Sequence, residues 1–480
     1  MRKPPAQLDH LHVWHPFTQM RDWLKRQPVV IVSGQGSLLR DDKGREYLDA
    51  NSSIWTNLHG HGHPKLNAAI VSQLGKVAHS SALGLANEPA SLLAGQLVAA
   101  ANRTTGRRTQ PRLDKVFYSD DGSTALEVAL KLAYEFARRT GRARASKFLS
   151  LEGAYHGDTV GAVSLGHIDL FHKAYSGLLF KSDKVMAPYC YRCPFNKARP
   201  ERTDAREYRR CQWECVSKVE EKFANQKRRG APYAAFVVEP LIQGAAGMIP
   251  QPAGWLRRVA GIARSNGALL IADEVMTGFG RTGVAQPQAR RSHADTLFAC
   301  QQEAVQPDFL CLAKGMTGGY LPMAATLTTK EVFDAFLGEY EEFKTFFHGH
   351  SYTANQLGAA ASLASLKILQ SAESRQARRR LEDSLQEALQ NLWSLSQVGD
   401  IRRVGLIAGI ELVRDWRTKE PFDLSDRAGI RVCEAMARRG VLTRPIGNVV
   451  VLMPPYCTTA TQLRRMVSVL QESIEETLAR

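Results

Sequence analysis

The sequence predicts an α/β protein with two parts. One is a large domain on a mostly parallel sheet flanked by helices; the other is a small α+β domain drawn from both ends of the chain. Three observations predict it. Apolar runs of strand length alternate with helix-period stretches from about residue 70 to 345. Several of these runs, such as AAFVVEP (234–240) and DFLCLAK (308–314), are continuously apolar, which suits strands buried on both faces. From residue 399 onward the pattern changes to strand pairs around glycine turns, with two helices between and after them.

The elements follow in order. VVIVSGQGSLLRDD (29–42) and EYLDAN (46–51) read as strands of an N-terminal segment, 1–68, that belongs to the small domain. The large domain is expected over 69–345, with strands at KVFYSD (115–120), KFLSLEG (147–153), 234–240, ALLIADEV (268–275) and 308–314. In SDDGSTALEVALKLA (119–133) a strand runs into a helix, and Thr124 with Glu127 has capping-box spacing. Residues 346–480 supply a linking helix and the rest of the small domain. There, 399–415 reads as two strands, 425–439 as a helix and VLTRPIGNVVVLMPP (441–455) as strands around a Gly-Asn turn. The stretch 459–479 reads as a helix opened by Thr459 and Gln462.

Composition narrows the class. The chain has 480 residues, 44% hydrophobic and 23% charged, which is ordinary for a globular protein with a large core. No apolar run is long enough to span a bilayer, and the first residues lack the apolar stretch of a secretory signal. Eight cysteines in so long a chain are no disulfide scaffold, so a cytoplasmic location is expected. The net charge of +16 is spread over 141–147, 197–210 and 376–383 rather than focused. It reads as a solvated surface, with no nucleic-acid or membrane partner.

Ligands of open α/β sheets bind beyond the carboxyl ends of the strands. Two runs end there in charge beside glycines: LLIADEVMTGFGRTG (269–283) at Asp273 and FLCLAKGMTGG (309–319) at Lys314. Gly122 and Ser123 open a helix whose free amides suit a phosphate. EGAYHGDT (152–159) places Tyr155 at another strand exit. Singly these read as a loop lysine, a solvated acid and an ordinary helix cap. Jointly they fit pyridoxal 5'-phosphate: an amine for its aldehyde, a carboxylate for its ring nitrogen, a cradle for its phosphate and an aromatic face for its ring.

These stretches, with YHGDTVGAVSLG and FFHGHSYTANQLG, resemble the class-III (omega) aminotransferases of pyridoxal-phosphate fold type I over nearly the whole chain. HVWHPFTQM (12–20), SSIWTNLHGHGHP (52–64) and VLTRPIGNVVVLMPPY (441–456) resemble the branch that transaminates 8-amino-7-oxononanoate in biotin biosynthesis. The resemblance implies that Lys314 carries the cofactor and shuttles a proton, Asp273 pairs with the ring nitrogen and Tyr155 stacks on the ring. It implies that Gly122 and Ser123 hold the phosphate. His350 and Ser351, after Gly349, match a segment whose hydroxyl reaches the neighbouring subunit's phosphate, which implies a homodimer. Arg444 matches a clamp for the substrate carboxylate, a job suited to a guanidinium, and Asp158 matches an acid near the substrate amine.

Two positions depart from members that use S-adenosylmethionine as amino donor. Those carry tyrosine where this chain has Phe17, and paired tryptophans where it has Ile54 and Trp55. Synthases that take lysine resemble the pattern here, so S-adenosylmethionine is the first donor expected and lysine the alternative; another omega-aminotransferase acting on a terminal amine is the alternative for the reaction itself. Cys190, Cys193, Cys211 and Cys215 have the spacing C-x2-C-x17-C-x3-C, near that of a zinc ribbon. Free thiols on a loop are the expectation, with a structural zinc as the alternative. HGHGHP (59–64) reads as a loop close to the cofactor rather than a metal site.

Overall fold

A computed structural model describes residues 3–103, 110–142, 147–283 and 296–478. Part of the basic cluster at 141–147 and the end of the last predicted helix lie outside the described residues.

The centre is a seven-stranded sheet. In chain order its strands are β1 (Leu113–Ser119), β2 (Lys147–Leu151), β3 (Asp183–Val185), β4 (Tyr233–Val238), β5 (Leu269–Asp273), β6 (Phe309–Leu312) and β7 (Ala324–Thr329). The spatial order is β1-β7-β6-β5-β4-β2-β3. Pairs from β3 through β2, β4 and β5 to β6 are parallel, while β7 runs antiparallel to both β6 and β1. Continuous apolar sequence is explained by burial: every residue of β4, β5, β6 and β7 is buried. Two strands escaped the sequence reading. β3 has only three residues, and β7, AATLTT, is too rich in small and hydroxyl residues to stand out.

The helix after β1, α1 (Gly122–Arg139), packs its apolar face on this sheet. Its cap differs from the expected one. Asp121 accepts from the Thr124 amide while the Thr124 hydroxyl accepts from the Asp121 amide. Glu127 instead accepts from the amides of Gly161 and Ala162. The Thr459–Gln462 box is present as read.

The two ends of the chain meet in a second sheet, where Glu46–Asp49 pairs in parallel with Val441–Leu442. A third sheet holds Val398–Val404, Ile407–Asp415, Val449–Leu452 and Pro445–Ile446. Arg281, buried in the loop after β5, ties these parts to the large sheet through the carbonyls of Pro454 and Asn57. No helix among the described residues is long and apolar enough to cross a membrane.

The cysteine-bearing excursion between β3 and the helix Glu214–Arg228 is pinned by buried charge. Glu411 accepts from Tyr189 Oη at 2.5 Å, from Arg192 Nε at 2.7 Å and from Arg402 at 2.5 Å. Arg202 donates to the carbonyls of Trp393, Leu395 and Val398. Cys190, Cys193, Cys211 and Cys215 line one cavity of about 10 Å³ with Arg209 and Glu214. Among the described residues no three His, Cys, Asp or Glu side chains are arranged to hold a metal ion. Breaking a buried ion pair from one side strands the other charge. Arg402→Ala should therefore cost about 3–5 kcal/mol in urea unfolding; a loss below about 1 kcal/mol, the value of a surface pair, would show that the network does not anchor the excursion.

Candidate active site

Five strand exits converge on one cavity of about 460 Å³ at the carboxyl edge of the large sheet. β1 delivers Asp120 to Ser123, β2 delivers Tyr155 to Gly157, β4 delivers Glu239, β5 delivers Asp273 and β6 delivers Lys314. Trp55 closes it from the N-terminal segment. The volume is in the range of small-molecule sites.

Asp273 is buried. Its Oδ1 accepts from the Val275 amide at 3.1 Å and its Oδ2 lies 2.7 Å from His156 Nδ1. Burial opposes a charged imidazole at His156, yet the hydrogen bond and charge of Asp273 raise its pKa overall. Lys314 follows β6 in a left-handed conformation, φ 42°. Burial lowers its pKa to about 8, against the pull of Asp273 and Glu239. Its Nζ lies 4.6 Å from the centre of the Trp55 ring. Glu239 is a third buried charge, and burial raises its pKa to about 7. Its oxygens accept from the amides of Gly244 and Tyr155 at 2.7 and 3.4 Å.

Gly122 lies against the exit of β5: an added Cβ would sit 2.6 Å from Val275 Cγ1. Ser123 Oγ accepts from the Asp158 amide at 3.2 Å, and Asp158 accepts from Tyr155 Oη at 2.5 Å. Gly157, φ 122°, lets the β2 exit approach Ser123, where a Cβ would collide with Oγ.

The other expected residues lie around the mouth. The Phe17 ring centre is 6.5 Å from that of Tyr155, and the Phe17 carbonyl accepts from Arg444 at 3.1 Å. Arg444 and Ile54 are exposed and do not line the cavity. His350 Nδ1 lies 3.4 Å from Asp120 Oδ2, at the cavity edge. Gly349 and Ser351 do not line the cavity, and the Ser351 carbonyl accepts from His79. Sequence reading missed Glu239 and His156 as parts of the site. Both stand in quoted strand exits, VVEP and YHG, and burial alone distinguishes them from surface polar residues.

A lysine and an acid at neighbouring strand ends, beside a capped helix opening, define the fold and site of a pyridoxal-phosphate enzyme. The residues fit that group: the carboxylate of Asp273 retains lone pairs after two hydrogen bonds, the amine of Lys314 belongs to the same cavity, and Gly122 opens its helix at the cavity wall. Residues 20–474 match the model of the class-III aminotransferases, and the chain belongs to that family. It is 46% identical over 466 residues to the adenosylmethionine-8-amino-7-oxononanoate aminotransferase of Geobacter sulfurreducens, covering 97% of this chain and 96% of that protein. The crystal structure of the enzyme of the same name from Methanocaldococcus jannaschii is 38% identical, with a TM-score of 0.86, over 98% of each chain. An amine transaminase from an uncultivated Pseudomonas species, solved in a pyridoxal-phosphate-bound form, is 32% identical with a TM-score of 0.85, covering 97% of this chain and 98% of that one.

A neutral amine is the nucleophile toward an aldehyde, so the lowered pKa of Lys314 has a readable consequence. Reconstitution of cofactor-free protein with pyridoxal phosphate should speed up with pH and level off with a midpoint near pH 8. A rate still climbing toward the ordinary lysine range near 10.4 would mean that burial does not act on this amine.

Proposed function

We propose that the chain transfers an amino group to 8-amino-7-oxononanoate, giving 7,8-diaminononanoate in biotin biosynthesis, with pyridoxal 5'-phosphate as cofactor. The observation that carries this reading is the meeting of Lys314 and Asp273 in one cavity, in a chain 46% identical to a relative named for that reaction. S-adenosylmethionine is the proposed donor, as in the relative's name. L-lysine is the second reading, favoured by Phe17 and Ile54, which offer neither phenol nor indole at the mouth.

When bound, the cofactor supplies an aldehyde that captures amines and a ring that withdraws electrons from the adjoining carbon. The chain's residues do the rest. Asp273 would accept a hydrogen bond from the protonated ring nitrogen, and its own orientation is fixed by His156 and Val275. Lys314, with a pKa near 8, accepts or returns a proton at Nζ close to neutral pH. Gly122 and Ser123 offer the helix opening to a phosphate. Tyr155, tied to Asp158, offers a ring face. Arg444 pairs with the carboxylate at the far end of the substrate.

The protein is proposed to act as a cytoplasmic homodimer. Phe347 and Tyr352, which flank Ser351 in the chain, are more than half exposed. His79 joins them, its ring 4.8 Å from that of Tyr352. Exposed apolar groups gathered in one place suit an interface.

Wild-type protein should show a visible absorption band of bound cofactor that is lost in Lys314→Ala, and should form 7,8-diaminononanoate with one of the two donors. No product with either donor would reject the substrate and leave the cofactor standing. Arg444→Ala should raise the substrate KM at least tenfold, the equivalent of about 1.4 kcal/mol, with cofactor retained. An unchanged KM would remove the carboxylate role.

A further inference from the structure

Four thiols converge at the neck of the excursion between β3 and the helix Glu214–Arg228. Cys190, Cys193, Cys211 and Cys215 line one cavity of about 10 Å³, room for about one water molecule. All four are free thiols, and none lines the active-site cavity.

The two segments that carry them are stitched together by one side chain. Asn196 Nδ2 donates to the Cys190 carbonyl at 3.0 Å, and its Oδ1 accepts from the Arg210 amide at 2.9 Å. Beside it the Lys197 amide donates to the Arg210 carbonyl at 3.1 Å. The backbones at 190 and 210 are thereby bridged by a single asparagine.

The sulfurs are not equivalent. Cys190 and Cys215 are buried, and burial pushes their thiols up to about 12 and about 11. The Cys190 thiol donates to the Pro188 carbonyl at 3.9 Å. Cys211 is only half-buried, and Arg209 Nη1 donates to its sulfur at 3.1 Å. That guanidinium is seated over the Trp213 ring, 4.2 Å from its centre. A cation beside a partly exposed sulfur favours the thiolate, the form that reacts with oxidants. After burial, Arg209 is also the strongest influence on Cys190, opposed by the charges of Cys215 and Cys211. One guanidinium therefore lies near both sulfurs, on the two sides of the neck.

We propose that Cys211 is an oxidation site for peroxide, and that Cys190 resolves the oxidised sulfur into a disulfide across the neck of the excursion. The Cys211 thiolate attacks one peroxide oxygen; an S–O bond forms as the O–O bond breaks, and the leaving hydroxide takes a proton and departs as water. The Cys190 sulfur then attacks the Cys211 sulfur. An S–S bond forms, the S–O bond breaks, and the hydroxyl leaves as a second water with the proton that Cys190 gives up. Two thiols are oxidised to one disulfide while one hydrogen peroxide is reduced to two waters. A thiol reductant restores both cysteines. The bridge closes an excursion that Glu411 already holds on one side through Tyr189 and Arg192.

Mass mapping of the cofactor-loaded protein tests this. After limiting hydrogen peroxide and alkylation, wild-type protein should yield a linked Cys190–Cys211 peptide that dithiothreitol separates. With Cys190→Ala the sulfenic acid has no resolving partner, so dimedone should label Cys211. Cys211→Ser should give neither the link nor the label. Arg209→Gln should slow oxidation of Cys211 about two- to fivefold, the worth of a partly exposed charge contact. A disulfide that omits Cys211, dimedone captured on another cysteine, or Cys211 still alkylated as a thiol would overturn the proposal. Zinc bound to untreated protein at one ion per chain would overturn it too, because thiolates held by a metal are not free to attack peroxide. The wild-type map decides the matter without the variants, should one of them fail to fold.

Discussion

Burial of Asp273 is the constraint from which the site follows. A carboxylate at the tip of a central strand, walled by apolar β5 and β6, is expensive to keep unless donors meet it. The fold supplies two: the Val275 amide from the loop after its own strand, and His156 from the loop after β2. The imidazole is itself sealed from solvent, so the pair has few ways to relax. Each partner fixes the other, which sets the direction in which Asp273 faces the cavity. Glu239 adds a second acid, which burial and Asp273 drive toward neutrality near pH 7 while His156 pulls the other way. The group is tuned by its mutual distances rather than by exposure to water.

Parallel strands make such convergence possible. β2, β4, β5 and β6 point the same way, so their exits open at one edge, and each exit loop can bring one functional group. The antiparallel β7 does not break the edge, because β1 beyond it again runs with the others and brings the helix opening at Gly122. Close backbone contacts then matter as much as side chains. Gly122 against Val275 and Gly157 against Ser123 are approaches that a methyl group would block.

Much of this was legible in the sequence, for physical reasons. Strands buried on both faces leave continuous apolar runs, and an acid or amine ending such a run is conspicuous, as at Asp273 and Lys314. The Gly-Asn turn at 447–448 and the box at Thr459 are local chemistry, readable without neighbours. What was hidden depends on distant partners. Thr124 has two acids at box-like spacing, Asp121 before it and Glu127 after it. Only the structure shows that Asp121 takes the cap and Glu127 reaches the 160–162 turn. His156 and Glu239 gain their importance from burial, and β7 from its place between two strands far away in the chain. The anchors of the excursion at 190–215 were hidden too, because Glu411 and Arg402 lie about two hundred residues onward.

The mouth of the cavity obeys a different rule from its floor. The floor is built from strand exits of one sheet, where burial does the organising. The mouth is built where the two chain ends meet, and its order comes from polar clamps. Arg281 grips the carbonyls of Asn57 and Pro454, so the loop after β5 reads the position of both ends at once. Each non-glycine residue of the left-handed turn 52–55 costs roughly 1–2 kcal/mol, a cost offset by hydrogen bonds to Asp49 and the Met453 carbonyl and by the packing of Trp55 on an apolar cluster. Hydrogen bonds are directional where apolar contacts are not. A wall that adds directional bonds to packing holds one orientation of Trp55 over Lys314.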